Sequence, residues 1–231
     1  MQKLDGPFIA PLSGKAKQLV IFLHGYGSNG DDLIGLGEQW ASSMPDCAFV
    51  SPNAPEQCAG LADGYQWFPI RAIDPATIER EKNAIAVTPI LSNFIDGQLA
   101  KWGVDDSQLA VAGFSQGAMM AMYAMPRRQK PCAAVIGYSG MIIDSNGLKA
   151  AGIVKMPVLA IHGDADEVVV PDNLSRIEQG FIAAGFEIEC VMRPGLAHGI
   201  DHFGLTRGLQ FVQEGFEKSA ESVKKQVKAQ L

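Results

Sequence analysis

Residues 108–126 read QLAVAGFSQGAMMAMYAMP, and this stretch predicts a strand, a sharp turn and a helix in direct succession. The short apolar run at 108–112 is typical of a buried strand, and residues 118–125 suit a helix that Pro126 ends. Between them, residues 113–117 fit the G-x-S-x-G pattern, in which small neighbours allow Ser115 to occupy a strained turn. The alternative interpretation is a buried serine in a glycine-rich turn without chemistry.

The remaining chain alternates between short apolar runs and longer amphipathic patterns. Apolar runs predict strands at residues 17–24, 48–50, 133–138, 158–162 and 187–191. Amphipathic patterns predict helices at 31–43, 75–102, 172–184 and from 205 to the C-terminus. Because strands that alternate with helices form parallel sheets covered on both faces, we expect an α/β fold with a mostly parallel central sheet. We expect one domain spanning residues 1–231, without a large cap domain.

Composition excludes several classes of function. The 19 basic and 25 acidic residues give a net charge of -6 and are spread along the chain, which argues against nucleic-acid binding. No apolar run approaches the roughly 20 residues of a membrane span, and the first residues lack the apolar core of a signal peptide. We therefore expect a cytoplasmic protein. The four cysteines show no C-x-x-C pairing or metal-binding spacing, and Cys132 and Cys190 lie in apolar strand-like segments, so we expect buried reduced thiols, with disulfides as the alternative.

One long stretch, residues 51–74, shows neither the pattern of a strand nor that of a helix and is rich in proline, glycine and aromatic residues. Loops of this length in compact domains are usually functional, so we expect it to wall the active site. Tyr65, Trp67 and Phe68 are its candidate substrate-binding side chains. The alternative is that these aromatic rings are core residues beneath the loop.

A serine hydroxyl becomes a nucleophile only with an imidazole that takes its proton and a carboxylate that orients the imidazole. On a turn of this kind, the acid and then the histidine follow the serine, each in a loop after a strand. Asp164 and Asp166 follow the strand predicted at 158–162, and periodicity does not choose between them. His198 lies in the glycine-rich loop after the strand at 187–191, whereas His202 lies further on, so His198 is the preferred base.

The same residues allow a second interpretation. His162, Asp164 and Asp166, together with His198 and His202, are a potential metal-binding cluster. Their spacing matches no standard set of metal ligands, so we expect no metal and no cofactor.

Ester chemistry on a serine also needs two backbone N–H groups that stabilise the oxyanion. Gln116 follows the candidate nucleophile at the positive end of the predicted helix. Tyr26 lies in the sequence His24-Gly25-Tyr26-Gly27 after a strand, where small neighbours would let a backbone N–H approach a substrate. A plain tight turn is the alternative for this loop, and we expect His24 to order it by hydrogen bonding.

Five motifs follow one another along the chain: FLHGYG at 22–27, PNAP at 52–55, QWF at 66–68, GFSQG at 113–117 and HGDAD at 162–166. In order and spacing the chain resembles, over nearly its whole length, the phospholipase/carboxylesterase family that includes the acyl-protein thioesterases. The resemblance implies an α/β-hydrolase fold and a catalytic triad of Ser115, Asp166 and His198. It also implies that Tyr26 and Gln116 provide the oxyanion donors.

The resemblance further implies a serine carboxylester hydrolase that acts through an acyl-enzyme. Its substrates would be small-molecule or lipid-like esters of short to medium acyl chains, with acyl thioesters and lysophospholipids as related candidates. Tyr26 stands where family members usually carry leucine, and we expect its side chain to shorten the acyl pocket; Ala118 replaces a glycine that many members have. A non-catalytic acyl- or lipid-binding module is the alternative, and the sequence leaves a homodimer open.

Overall fold

The computed structural model describes residues 3–70 and 77–229, and within them nine β-strands are interspersed with five α-helices. The strands are β1 Phe8–Ile9, β2 Gln18–Leu23, β3 Cys47–Val50, β4 Glu56–Gln57, β5 Tyr65–Gln66, β6 Leu109–Phe114, β7 Ala134–Tyr138, β8 Val158–Gly163 and β9 Ile188–Arg193. The helices are α1 Gly30–Ala41, α2 Thr77–Trp102, α3 Gln116–Ala124, α4 Asp172–Ala183 and α5 His202–Ala229.

The central sheet has seven strands in the order β1-β3-β2-β6-β7-β8-β9. Every neighbouring pair is parallel except β1 with β3, and β4 and β5 form a separate antiparallel pair. Leu23 pairs with Gly113 at the ends of β2 and β6, and Gly163 pairs with Arg193 at the ends of β8 and β9. The loops that follow these strands therefore leave the same edge of the sheet, where ligands bind in open α/β sheets.

Strand β2 illustrates why the sheet lies at the centre of the protein. Leu19, Ile21 and Leu23 pack into a core shared with α2, α3 and α4. Val20 and Phe22, on the opposite face, pack into a second core shared with α1 and α5. All five side chains are fully buried. Since burial of each such side chain contributes about 1.5–3 kcal/mol, two-sided burial explains the continuous apolar run that predicted this strand.

The predicted fold class is confirmed: a mostly parallel sheet has helices on both faces. The prediction of an irregular loop at 51–74 needs correction, because this stretch contains β4 and β5, and Tyr65 also forms a bridge with Ser28. Strands of two residues, including β1, are too short to show a recognisable alternation of apolar and polar residues in the sequence. Residues 71–74 of that loop, 75–76 of the predicted second helix and 230–231 lie outside the described residues.

Two further findings concern the whole molecule. The four cysteines are free thiols, as predicted; Cys47, Cys58 and Cys132 are also buried as predicted, whereas Cys190 is partly exposed. None of the helices in the described ranges combines the length and apolarity that a membrane crossing requires.

Candidate active site

Ser115 occupies the turn between β6 and α3 in a strained conformation. Its φ of 53° and ψ of -115° lie in a region that residues other than glycine rarely adopt. A methyl group on Gly117 would lie 1.9 Å from the carbonyl oxygen of Leu23, so the start of α3 packs directly against the end of β2. The backbone N–H of Ser115 donates to the carbonyl oxygen of Tyr138 at 2.9 Å. Close packing and this hydrogen bond therefore hold the serine on its turn.

Asp166 and His198 lie in the loops after β8 and β9, and their side chains are in contact. His198 Nδ1 lies 2.8 Å from Asp166 Oδ2 and donates a hydrogen bond to it. The other carboxylate oxygen, Oδ1, accepts hydrogen bonds from the backbone N–H groups of Val168 and Val169, both at 2.9 Å. Burial by itself would raise the pKa of Asp166, but the bonds from His198 and the two N–H groups outweigh it and lower this pKa. The carboxylate is therefore ionised at neutral pH and fixes the imidazole.

Two other members of the alternative metal-binding cluster, Asp164 and His202, have different surroundings. Asp164 is exposed, and its Oδ1 accepts a hydrogen bond from the backbone N–H of Gly195 at 2.6 Å, which ties together the loops after β8 and β9. His202 is exposed at the start of α5. Over the ranges 3–70 and 77–229, no group of three or more His, Cys, Asp or Glu side chains has the arrangement of a metal site. Of the two aspartates that periodicity left open, Asp166 is the one that contacts His198.

Ser115 and His198 line a common cavity of about 610 Å³. This volume is within the range of about 300–1,000 Å³ that small-molecule sites span. Most of its wall is apolar, and the apolar lining residues are Phe68, Pro69, Ile70, Phe114, Met119, Met141, Val168 and Val169. Tyr26, Ser28 and Arg80 complete the lining together with Gly25. An apolar chain can therefore lie in contact with the wall while a polar group reaches the serine.

The two candidate oxyanion donors lie on segments that adjoin Ser115. A methyl group on Gly25 would lie 3.3 Å from Cβ of Ser115, so the loop after β2 approaches the serine closely. The backbone N–H groups of Tyr26 and Gln116 have no hydrogen-bond acceptor within the described part of the chain. The N–H of Gln116 is at the N-terminus of α3, where the helix dipole favours negative charge. Both groups are thus available to an oxygen that carries developing charge.

The three aromatic candidates for substrate binding have different positions. Phe68 lines the cavity, whereas Trp67 and Tyr65 do not. Trp67 is fully buried, and its two N–H groups have partners: the backbone N–H donates to Oε1 of Gln116 at 2.8 Å, and the indole N–H donates to the carbonyl oxygen of His24 at 2.9 Å. Tyr65 belongs to β5 and exchanges backbone hydrogen bonds with the loop after β2. The prediction of a substrate-binding role therefore needs correction for Trp67 and Tyr65, which follow the alternative interpretation: Trp67 belongs to the core and Tyr65 packs against it.

His24 orders the loop after β2, as predicted. Its Nε2 accepts a hydrogen bond from the backbone N–H of Ala54 at 2.9 Å, so the proton is on Nδ1, which donates to the carbonyl oxygen of Gly25 at 2.7 Å. Burial lowers the pKa of His24, and the hydrogen bond to Gly25 opposes this shift only in part. The imidazole is therefore neutral and has both nitrogens occupied.

Two further residues lie near the site: the sequence indicates a role for His162 only as part of the alternative metal-binding cluster, and no sequence pattern indicates one for Ser139. His162 Nε2 donates to the carbonyl oxygen of Val169 at 2.7 Å and lies 3.3 Å from Oδ2 of Asp166. Ser139, which also has a positive φ of 49°, donates from Oγ to the carbonyl oxygen of Gly199 at 3.4 Å. Their position was the available signal, because both lie at the carboxyl ends of parallel strands, where functional residues concentrate.

A parallel sheet, a strained serine between a central strand and its helix, and an aspartate–histidine pair from the loops after two later strands define an α/β-hydrolase. The class follows from the chain order of serine, aspartate and histidine as well as from the fold.

The chain belongs to the phospholipase/carboxylesterase family, whose model matches residues 4–224, and the predicted resemblance is thereby confirmed. It is similar to acyl-protein thioesterase 1 of Schizosaccharomyces pombe, with 27% identity over 219 residues that cover 91% of this chain and 96% of the relative. It is also similar to esterase YpfH of Escherichia coli, with 26% identity over 196 residues, covering 85% and 80% of the two chains. The crystal structure of esterase PE8 has a TM-score of 0.88 and 40% identity, and the match covers 92% of this chain and 99% of that one.

Proposed function

We propose that this protein is a serine carboxylester hydrolase that acts through an acyl-enzyme, with Ser115 as nucleophile, His198 as base and Asp166 as the acid that orients it. The observation that carries the proposal is the hydrogen bond of 2.8 Å between His198 Nδ1 and Asp166 Oδ2, in a cavity that Ser115 also lines. The bond places the Nδ1 proton toward the carboxylate and leaves Nε2 as the proton acceptor.

In the first half-reaction, His198 Nε2 takes the hydroxyl proton while Ser115 Oγ bonds to the carbonyl carbon of the ester. The carbonyl oxygen becomes an oxyanion, which the backbone N–H groups of Tyr26 and Gln116 stabilise. The carbonyl then re-forms as the bond between the carbonyl carbon and the oxygen of the leaving alcohol breaks. His198 gives the proton to the oxygen of the leaving alcohol. Water repeats these steps on the acyl-enzyme, so that one ester and one water give an acid and an alcohol, and Ser115 is restored.

The apolar wall of the cavity supports the proposal that the substrates carry uncharged acyl chains of short to medium length. The side chains that line it are mostly apolar, and each methylene buried there contributes about 0.8 kcal/mol. Tyr26 lines the same cavity. We infer that its side chain limits the length of the acyl chain that fits. The thioesterase names of relatives support thioesters as a further substrate class, in which a thiol replaces the leaving alcohol. The free cysteines support the cytoplasm as the compartment.

A fluorophosphonate probe tests the proposal, since it reacts only with an activated serine. Wild-type protein should be labelled on Ser115 and should hydrolyse p-nitrophenyl butyrate. A Ser115→Ala variant should remain folded but lose both properties, with turnover lowered on the order of a million-fold. A folded wild-type protein with neither labelling nor turnover would instead be the non-catalytic acyl-binding module. A panel of esters and thioesters of rising chain length then defines the substrate.

A further inference from the structure

The side chain of Gln116 forms a buried connection between α3 and the segment that walls the cavity. It is fully buried, its Nε2 donates to the carbonyl oxygen of Phe68 at 2.7 Å, and its Oε1 accepts from the backbone N–H of Trp67 at 2.8 Å. The N–H of Trp67 can only donate and the carbonyl of Phe68 can only accept, so the two bonds fix the orientation of the amide. The residue whose backbone N–H is a proposed oxyanion donor is therefore attached through its side chain to residues 67–68.

Trp67 continues this connection to the loop after β2. Its indole N–H donates to the carbonyl oxygen of His24 at 2.9 Å, and its ring centroid lies 5.7 Å from that of His24. The carbonyl of His24 belongs to the peptide that leads into Gly25, one residue before Tyr26. The Trp67 indole therefore fixes the orientation of the chain as it enters Tyr26, whose N–H is the second proposed oxyanion donor.

We propose that Trp67 and the Gln116 side chain are positioning residues that hold the two oxyanion donors at their working separation; this inference rests on the proposed function. We call the set of Gln116, Trp67 and the His24 carbonyl the oxyanion brace. The donors lie on the loop after β2 and at the start of α3, two segments that are distant in sequence and that pack together where β2 pairs with β6. Donors must lie about 2.7–3.1 Å from the oxyanion, and a misplacement of about 1 Å costs on the order of a hundredfold in rate.

The protein offers a matched control for Trp67. Trp40, in α1 on the other face of the sheet, is 1% exposed, compared with 0% for Trp67. Its indole N–H has no hydrogen-bond partner among the residues that the structure describes. Trp67→Phe and Trp40→Phe therefore delete the same atoms from buried rings, but only the first removes a hydrogen bond from the oxyanion brace.

The first measurement is the kcat and KM of both variants on p-nitrophenyl butyrate, beside their melting temperatures. We expect Trp67→Phe to lower kcat by about 10- to 100-fold with KM within about twofold, because the lost interaction acts in the transition state. Trp40→Phe should keep the wild-type kcat. Both melting temperatures should fall, since both variants lose buried ring atoms.

The second measurement uses a trifluoromethyl ketone of matched chain length. Ser115 Oγ adds to its carbonyl carbon, His198 takes the proton, and the former carbonyl oxygen becomes an oxyanion between the two N–H donors. Affinity for this analogue should fall in Trp67→Phe by the same factor as kcat. Affinity for the uncharged alcohol of the same length, which carries no oxyanion, should stay within about twofold of wild type.

A second variant keeps the inference testable if Trp67→Phe does not fold. Gln116→Met preserves the backbone N–H and the length of the side chain but removes both hydrogen bonds to residues 67–68, so it should show the same loss of kcat and of analogue affinity. Equal kcat in Trp67→Phe and Trp40→Phe, or a loss confined to KM, would overturn the inference while the active wild-type enzyme upholds the proposed function. A wild-type protein without labelling or turnover would overturn both.

Discussion

The change from Asp166 to asparagine tests the proposed triad most sharply, because the structure fixes how the new side chain must lie. Oδ1 of Asp166 accepts two backbone N–H bonds, from Val168 and Val169. In Asp166→Asn these two donors require the amide oxygen to take that position, so the amide NH2 points toward Nδ1 of His198. Nδ1 must then accept a hydrogen bond, the imidazole proton moves to Nε2, and the nitrogen that should take the proton of Ser115 is blocked.

The size of the expected loss in kcat follows from this exchange of imidazole tautomers. The same substitution in a well-studied serine protease triad lowers kcat by about 10⁴, which corresponds to about 5.4 kcal/mol of activation free energy. We expect a loss of this size in kcat for p-nitrophenyl butyrate. The fold should remain, because the two backbone hydrogen bonds keep their acceptor. Circular dichroism and thermal unfolding check this point.

Asp164→Asn is the matched control, since it makes the same chemical change two residues earlier. Its Oδ1 accepts one bond, from Gly195, which the asparagine oxygen can also accept, so kcat should stay within about twofold of the wild-type value. A greater loss in Asp164→Asn than in Asp166→Asn would show that the acid was wrongly assigned. Retention of more than about a tenth of the wild-type kcat by Asp166→Asn would contradict the tautomer argument.

Three further predictions concern the pocket, the turn and pH. Tyr26→Leu should move the preferred acyl chain to greater length, with kcat/KM rising by up to about fourfold per added methylene, while short esters are hydrolysed as before; an unchanged preference across an ester series would rule out Tyr26 as the limit of the pocket. Gly117→Ala places a methyl group 1.9 Å from the carbonyl oxygen of Leu23 and should destabilise the fold by about 1–3 kcal/mol or more, and urea unfolding that shows no loss would contradict the packing of the turn. The pKa of Asp166 is lowered in the folded state, so its contribution to the free energy of unfolding is present above the unfolded value of about 3.9 and is lost as pH falls through the folded value. Urea unfolding between pH 2 and 6 should therefore show that the free energy of unfolding falls more steeply with decreasing pH in wild type than in Asp166→Asn. Equal dependence on pH in the two proteins would contradict the lowered pKa of Asp166.

The sequence by itself determined the order of the main strands and helices and the position of the serine. Strands β2, β3, β6, β7 and β8 are buried on both faces, and this burial selects continuous apolar runs that can be recognised without knowledge of their neighbours; the edge strand β9 is only partly buried. The turn at Ser115 is a local feature as well, because glycines must flank a residue held in that conformation. The chain order of serine, acid and histidine limited the partners to two loops.

Only the tertiary structure decided which residues of those loops face the site. Asp164 and Asp166 are two residues apart in one loop, and the contact with His198, from a loop about 30 residues later, distinguishes them. Trp67 and Phe68 are adjacent aromatic residues, yet the indole N–H of Trp67 donates to the carbonyl oxygen of His24 in the core, whereas Phe68 lines the cavity. The side chains of Asp164, Asp166 and Trp67 take their directions from hydrogen bonds with segments distant in sequence, and a pattern of neighbouring residues carries no information about such bonds.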